Sequence, residues 1–395
     1  MILDKKSVIK EIWREKIMPD TRSCTYEDLY YEMWEISQRY SQIAQFRVIG
    51  KSHDERMIPM VELGKGTNCI FCLSGLTGLD RQTPMFLIRM MQEYVKAWES
   101  GWKMEEIYEV GEVLQNWRLC FIPLLNPDGY EIYTGDFQAI RNPIYRQMLR
   151  MQEIPSQEYT GNSRGVDLRK NFPTQYYQRK QVMQQPASEN ETKALIRIFQ
   201  EYPSCGLLSF DHFRNRILYF KQSKSFAANQ KSYRLARHLQ KCSSYYMENS
   251  GNGQGDFSVA GRPGTGSPEQ FYAEICHKPS FRIETLEAEG KTREEQLQSE
   301  YRKIHTLPLE YLFSLYKNDY IEYELKGKVY VERFLSRTMP QNANYIETKP
   351  IECANYEKRH PVGLKKAISI KKIRTDILGN RYYAQKEKFT LDVDN

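Results

Sequence analysis

Four polar groups in this chain carry side chains that can bind metal ions, move protons or bind anions. They are Thr77 with Asp80, Asp211 with His212, Glu284, and Arg169 with Lys170. Imidazole and carboxylate groups are metal ligands, a carboxylate can serve as a general base, and neighbouring cations bind carboxylates. Three of the groups follow apolar runs typical of strands, which is where α/β proteins usually place their sites. The spacing therefore predicts a site at the ends of several strands.

The elements that must position these residues alternate between buried strands and amphipathic helices. The sequence predicts a hairpin at 46–64 and strands within 69–75, 118–130, 206–222 and 279–286. It predicts helices at 25–40, 83–100, 189–202, 232–249 and 292–317. Thr25 is the expected N-cap of the first helix, and Pro308 is expected to break the last one. This alternation favours an α/β sheet layered by helices.

Length and composition are those of a globular protein with a sizeable core. The chain has 395 residues, of which 40% are apolar and 27% charged. After about residue 318 the pattern changes to short alternating strands and basic loops, which indicates an appendage. We therefore expect a helical lead-in at 1–23, a main domain at 24–317, and a basic C-terminal extension, small and β-rich or irregular, at 318–395.

Charge and hydropathy exclude several classes of protein. The net charge of +7 is concentrated near 360–374, so we interpret it as a solvated basic face and expect no nucleic-acid partner. No apolar run approaches the roughly 20 residues of a membrane helix, and the first 20 residues lack a signal-peptide pattern. We expect a cytoplasmic protein without a membrane partner. Cys69 and Cys72 lie in a strand pattern, where core packing is the expected role.

Seven segments of the chain occur in an order that is informative as a whole. After an opening helix and hairpin come LSGLTGLDRQTP, NPDGY, RGVDLRKNFP, PASENET, DHFRNRILYF and PSFRIETL. Together they resemble the M14 zinc carboxypeptidase family, especially its bacterial branch that trims cell-wall peptides, over roughly residues 24–316. The resemblance implies a single mixed, mainly parallel eight-stranded twisted sheet with helices on both faces. It also implies Zn²⁺ as the family's cofactor and peptides as its substrates.

The resemblance places the family's three zinc ligands at Thr77, Asp80 and His212. The family uses His, Glu and a distant His, so only His212 is retained. Thr77 is not expected to bind, because a neutral hydroxyl is a poor zinc ligand, and Asp80 is one methylene shorter than glutamate. Asp211 could substitute, but neighbouring strand residues point to opposite faces, so we expect Asp211 to point away from His212. The resemblance therefore implies a degenerate zinc site.

The remaining roles implied by the resemblance concern the base and the substrate. Glu284 falls at the general-base position; alternatively, it is a strand-end carboxylate paired with a cation. Arg169 and Lys170 replace the Asn-Arg pair that grips the substrate's terminal carboxylate, which makes the pocket more basic. Phe257 is the nearest aromatic residue to the family's mobile tyrosine and lacks its phenol. Four residues are candidates for the oxyanion-stabilising arginine: Arg141, Arg146, Arg150 and Arg164.

Three functional hypotheses follow. The favoured one is a catalytically impaired carboxypeptidase-like protein whose basic cleft binds a peptide or another anionic ligand, because so many family positions differ. The second is an active zinc carboxypeptidase that uses Asp80, His212 and a ligand from elsewhere. The third is a non-enzymatic scaffold that docks a protein partner through 318–395, with a filled cleft to which Phe213 would contribute.

Overall fold

The structure of the chain is a computed structural model. It describes residues 24–105, 107–174, 185–220, 226–245, 259–260, 266–288 and 293–316, with five short strands between 321 and 386. The predicted lead-in at 1–23 lies outside the described residues. The chain divides into two compact units, 1–96 with 116–307 and 97–115 with 308–395. Among the described helices, none combines the length and the apolar character that a bilayer crossing requires.

The first unit is built on one mixed sheet. Its strands are β1 (Ala44–Lys51), β2 (Met57–Leu63), β3 (Cys69–Leu73), β4 (Arg118–Ile122), β5 (Ser204–His212), β6 (Arg216–Phe220), β7 (Val259–Ala260) and β8 (Ser280–Thr285). Their spatial order is β1-β2-β4-β3-β5-β8-β6-β7. The pairs β1–β2, β2–β4 and β8–β6 are antiparallel, and the others are parallel. The predicted mixed sheet is confirmed. The predicted count of eight is slightly high for the main strands, since seven have five or more residues and β7 has two.

Helices flank this sheet. They are α1 (Tyr26–Arg39), α2 (Thr83–Ser100), α4 (Pro127–Gly135), α5 (Pro143–Arg150), α6 (Asn190–Glu201), α7 (Phe226–Ser243), α8 (Pro268–Ile275) and α9 (Arg293–Ile304); α3 (Val110–Asn116) and α10 (Leu307–Tyr316) fall mainly in the second unit. Thr25 caps α1 as predicted, in a reciprocal capping box with Asp28. The predicted break near Pro308 is also confirmed, because α9 ends before it and α10 begins one residue ahead of it.

The centre of the sheet forms the core and aligns the ends of the strands. All five residues of β3 are fully buried, including Cys69 and Cys72, so the predicted core role of both cysteines is confirmed. β5 and β8 pair in parallel, with Asp211 opposite Glu284. Because β3 is the other parallel neighbour of β5, the carboxyl ends of three strands meet at one edge of the sheet.

The described part of residues 318–395 consists of strands. They are β9 (Ile321–Leu325), β10 (Lys328–Arg333), β11 (Glu347–Thr348), β12 (Ile370–Thr375) and β13 (Tyr382–Lys386). β11, β10 and β9 form a three-stranded antiparallel sheet, and β12 pairs with β13. The rest of the predicted extension lies outside the described residues, and the three predicted segments stay a prediction.

Candidate metal and anion site

The turn that follows β3 is held against the turn that follows β4. The backbone N–H of Asn126 donates to Gly75 O at 2.8 Å, and the Asn126 side-chain amide donates to Leu76 O at 3.1 Å. Gly75 has a positive φ of 62°, which favours glycine. A Cβ on Gly78 would lie 1.8 Å from Gly129 O. The two turns are therefore in backbone contact, and this contact fixes the positions of the residues that follow β3.

Asp80 lies at the end of this turn, and only 1% of it is exposed. Its Oδ1 accepts a hydrogen bond from the backbone N–H of Thr83 at 3.1 Å. Its Oδ2 accepts one from the Thr83 hydroxyl. Thr83 is the first residue of α2, whose N-terminus favours a negative charge. Asp80 is thus a buried carboxylate whose orientation is set by the start of α2.

Thr77 is equally buried, with 1% exposed. Within the part of the chain that the structure describes, its hydroxyl oxygen has no hydrogen-bond partner. A threonine hydroxyl is neutral and stays protonated at ordinary pH, so Thr77 does not fit the role of a zinc-binding histidine. The three positions implied by the resemblance therefore do not form a complete family-type ligand set.

His212 and Asp211, at the end of β5, both face Asp80. The Nδ1 atom of His212 lies 3.5 Å from Asp80 Oδ1 and 3.5 Å from Asp211 Oδ1. The expectation that Asp211 points away from His212 is wrong. The Asp211 carboxylate folds back and accepts a hydrogen bond from the backbone N–H of His212 at 2.9 Å. One ligand atom from each of the three residues lies within 4.8 Å of the others, so the group could hold a metal ion.

The charges of this cluster stabilise each other. Burial opposes a positive charge on His212, but the Asp211 and Asp80 carboxylates outweigh it and raise the pKa of the imidazole from 6.5 to about 10. Burial also opposes the Asp211 carboxylate, yet His212, Arg282 and Arg169 lower its pKa below the ordinary value. Without a metal, the cluster is an imidazolium between two carboxylates. A metal ion would have to displace that proton.

The raised pKa of His212 predicts that the metal-free protein loses stability as the pH rises. Folding stabilises the imidazolium. This contribution to the free energy of unfolding is complete below pH 6.5 and is lost as the pH rises through about 10. We expect the free energy of unfolding to fall over this interval by more in the wild type than in His212→Gln. Urea unfolding in the presence of a chelator, from pH 6 to 10, measures both slopes. Equal slopes would contradict the prediction.

Glu284 is held by a guanidinium. The Nε atom of Arg216 lies 2.6 Å from Glu284 Oε2, and Nη2 lies 3.3 Å from Oε1. Arg216 comes from β6, directly opposite Glu284 in the antiparallel pair with β8. Burial raises the pKa of the Glu284 carboxyl, and the positive charge of Arg216 opposes that shift. Both carboxylate oxygens of the residue at the general-base position are therefore engaged.

Arg169 and Lys170 share one carboxylate. Arg169 binds Asp167 through Nε and Nη2, both at 3.1 Å, and Lys170 Nζ lies 2.9 Å from Asp167 Oδ2. Asp211 is among the charges that raise the pKa of Arg169, so this pair lies near the carboxylate cluster. Asp167 therefore offsets one of the two positive charges of this pair.

Arg282, on β8, is a site residue that the sequence analysis did not single out. It forms a bidentate ion pair with Glu269, at 2.9 and 2.7 Å. Burial opposes its charge, but Glu269, Asp211 and Glu284 together raise its pKa. The available signal was a single arginine inside the predicted strand PSFRIETL. Arg282, whose side chain is 17% exposed, therefore supplies a positive charge that acts on Asp211 and Glu284.

Two of the four arginines that were candidates for the oxyanion-stabilising role contact other groups. Arg146 donates through Nε to Ile140 O at 2.9 Å, and Arg164 lies 3.5 Å from Glu189. Phe257 lies outside the described residues. Phe213 is 63% exposed, so it does not fill a cleft.

A second potential metal group, formed by His53, Glu189 and Glu191, is already cross-linked by the Asn162 amide and Arg164.

Comparison with protein families supports the resemblance. The zinc carboxypeptidase family model Peptidase_M14 matches residues 29–291. This range includes the candidate site from Thr77 to Glu284 and every strand of the large sheet. The match therefore covers the same segments that carried the resemblance in the sequence.

Solved carboxypeptidase structures have the same fold. Bovine thrombin-activatable fibrinolysis inhibitor, solved in complex with tick carboxypeptidase inhibitor, is 14% identical with a TM-score of 0.56, over 75% of this chain and 99% of that chain. Carboxypeptidase A from Helicoverpa armigera is 14% identical with a TM-score of 0.52, over 73% of each chain. The metallo-carboxypeptidase from Burkholderia cenocepacia is 9% identical with a TM-score of 0.51, over 74% and 70%. At these identities the similarity shows the fold.

One curated protein shares a shorter segment with the chain. The CRISPR-associated endonuclease Cas9 1 of Streptococcus thermophilus is 37% identical in an alignment 97 residues long that covers 20% of this chain. The chain spans only 9% of the length of that protein.

Proposed function

This chain belongs to the zinc carboxypeptidase family M14, and from that premise we propose that it is a carboxypeptidase-like protein with impaired catalysis that binds a peptide or another anionic ligand. The observation that carries the proposal is the ion pair between Arg216 and Glu284, at 2.6 Å. It occupies the carboxylate at the family's general-base position. The neutral hydroxyl of Thr77 at a family ligand position supports the same conclusion.

The ion pair opposes general-base catalysis for a simple reason. A general base must present an oxygen to the water it deprotonates, at hydrogen-bond distance. Both oxygens of Glu284 accept from Arg216, and only 3% of Glu284 is exposed. Separating a buried pair leaves each charge without its partner, which is costly. Glu284 therefore acts as a structural anion in this proposal.

The family's set of three zinc ligands is incomplete in this chain, but side chains able to bind a metal ion remain. A zinc ion bound there would supply a bound water of lowered pKa and polarise a carbonyl group. Asp80 and His212 are the family-position residues able to hold it, and Asp211 lies beside them. This cluster is the observation in favour of the second candidate function, an active zinc carboxypeptidase with a variant ligand set.

Ligand binding is assigned to Arg169 and Lys170. The Lys170 side chain is 59% exposed, so its ammonium group can exchange Asp167 for the carboxylate of a ligand. Guanidinium and ammonium groups both bind carboxylates, the first in a bidentate manner. The bovine relative was solved with an inhibitor of carboxypeptidases bound, which is consistent with a peptide-like ligand here. A cytoplasmic location and partner docking through 318–395 stay predictions.

Two measurements test the proposal together. Mass spectrometry of a mixed peptide library, incubated with the protein and Zn²⁺, is expected to show no release of C-terminal residues. Fluorescence anisotropy is expected to show binding of peptides with a free C-terminal carboxylate. Lys170→Ala should weaken that binding at least about fivefold, as expected for loss of a charged contact.

The control is Lys51→Ala, which removes an exposed lysine that pairs with the exposed Glu55 and should leave binding unchanged. Amidated peptides should bind more weakly than the free acids. Zinc-dependent release of C-terminal residues that disappears in Glu284→Gln would overturn the proposal and establish the active enzyme.

A further inference from the structure

We infer that Asp80, Asp211 and His212 together bind one divalent transition-metal ion, with Asp211 as the third ligand in place of the Thr77 position. This ligand set departs from the His-Glu-His pattern that the family resemblance implies. The inference goes beyond the proposed function and does not depend on it, because a bound ion is compatible with either the presence or the absence of hydrolysis.

The distances among the three residues match a shared ion. In a tetrahedral site with metal–ligand bonds of about 2.0–2.2 Å, neighbouring ligand atoms lie about 3.4 Å apart. The Nδ1 atom of His212 lies 3.5 Å from the nearest carboxylate oxygens of both Asp80 and Asp211. All three ligand atoms lie within 4.8 Å of one another. Small side-chain rotations therefore bring them into one coordination sphere.

The imidazole nitrogen at the centre of this arrangement has no hydrogen bond. His212 is 13% exposed in its side chain, and its Nδ1 atom is buried without a hydrogen-bond partner in the described part of the chain. The neighbouring carboxylate oxygens lie beyond the usual N–H···O distance of about 2.7–3.2 Å. A buried nitrogen that faces two oxygens without bonding to either is the geometry expected of a metal ligand.

The two carboxylates are oriented by groups outside the cluster. Thr83 donates two hydrogen bonds to Asp80, and the backbone N–H of His212 donates to Asp211 at 2.9 Å. Such contacts leave lone pairs on the oxygens and hold metal ligands in place. Arg282 and Arg169 also act on Asp211 through their charge, but their ion pairs are with Glu269 and Asp167. Asp211 is therefore left to face His212 and Asp80.

The ligand types define the class of ion. One imidazole and two carboxylates suit Zn²⁺, Mn²⁺ or Co²⁺ and lack the thiolate that a soft ion such as Cu(I) prefers. A Ca²⁺ site would need about six to eight oxygen ligands. Two negative charges from the carboxylates balance a divalent ion in this buried place, where an unbalanced charge would be unfavourable. Zn²⁺ is the appropriate probe.

Isothermal titration of Zn²⁺ into the full-length protein, after removal of metals with a chelator, tests the inference. One ion per chain is expected. Asp211→Asn and His212→Gln should each weaken zinc binding at least about tenfold. Thr77→Val should change the affinity less than twofold, and so should Glu55→Gln, which alters an exposed carboxylate. Circular dichroism establishes whether each variant is folded.

X-ray absorption at the zinc edge of the loaded wild type provides a readout that needs no variant. One imidazole with the remaining ligands oxygen is expected. The inference is overturned by a wild type that binds no zinc, by a folded Asp211→Asn with unchanged affinity, by loss of binding in Thr77→Val, or by a spectrum with two or more imidazoles. If Asp211→Asn does not fold, Asp211→Ala takes its place in the titration. If the protein releases C-terminal residues from peptides while the zinc-binding results are as expected, the proposed function is overturned and the metal site stands.

Discussion

Replacing Arg282 with methionine is expected to destabilise the protein by about 3–5 kcal/mol, the usual effect of leaving a buried charge without its partner. Glu269 is fully buried and is bound by two nitrogens of Arg282. Asp211 and Glu284 also contribute to the raised pKa of Arg282. The single substitution therefore removes the cation that balances Glu269, Asp211 and Glu284.

The pH dependence of this variant follows from Glu269. Burial opposes ionisation of its carboxyl group, yet Arg282 outweighs burial and lowers its pKa below the ordinary value of 4.5. The ion pair therefore contributes stability above pH 4.5, and this contribution is lost as the pH falls through the lowered pKa. The deficit of Arg282→Met should be largest at neutral pH and should shrink in acid.

Urea unfolding of a double-mutant cycle measures the effect. Glu269→Gln removes the buried charge that Arg282→Met leaves behind, so the double variant should be more stable than Arg282→Met alone. The expected coupling energy is at least about 1 kcal/mol. Strictly additive effects of the two substitutions, or a loss below about 1 kcal/mol in Arg282→Met, would show that the pair does not stabilise the fold as described.

Gly78→Ala is expected to be the second strongly destabilising change, with a loss of about 3 kcal/mol or more. The new Cβ would lie 1.8 Å from Gly129 O and 2.4 Å from Gly129 C. These are backbone atoms of the neighbouring turn, so no side chain can rotate away to make room. The two turns would have to separate, and Asp80 would move with them.

The matched control is Gly111→Ala, where the nearest atom to a new Cβ is Trp98 Cδ1 at 4.0 Å. Gly111 lies in α3, so alanine should be neutral or stabilise by up to about 1 kcal/mol. Thermal melting of both variants by circular dichroism checks the contrast. Zinc titration of any folded Gly78→Ala protein should also show weakened binding. A melting temperature equal to that of the wild type would disprove the close contact.

The sequence by itself determined the family, the class of fold and several local boundaries. Ordered motifs identified the zinc carboxypeptidase family, and the family match later covered 29–291. The N-cap at Thr25 and the helix break near Pro308 could be predicted because both depend on neighbouring residues in the chain. The burial of Cys69 and Cys72 followed from a short apolar run.

Only the tertiary structure decided how the charged groups of the site are paired. Arg216 and Glu284 are 68 residues apart in sequence, and nothing in the local pattern of either strand identifies the other. The alternation of side chains along a strand predicted the wrong direction for Asp211, because a carboxylate at the end of a strand can fold back to a backbone N–H. Arg282 was missed because its partners come from other elements. Ion pairing depends on distances across the fold, whereas sequence patterns report contacts along one element.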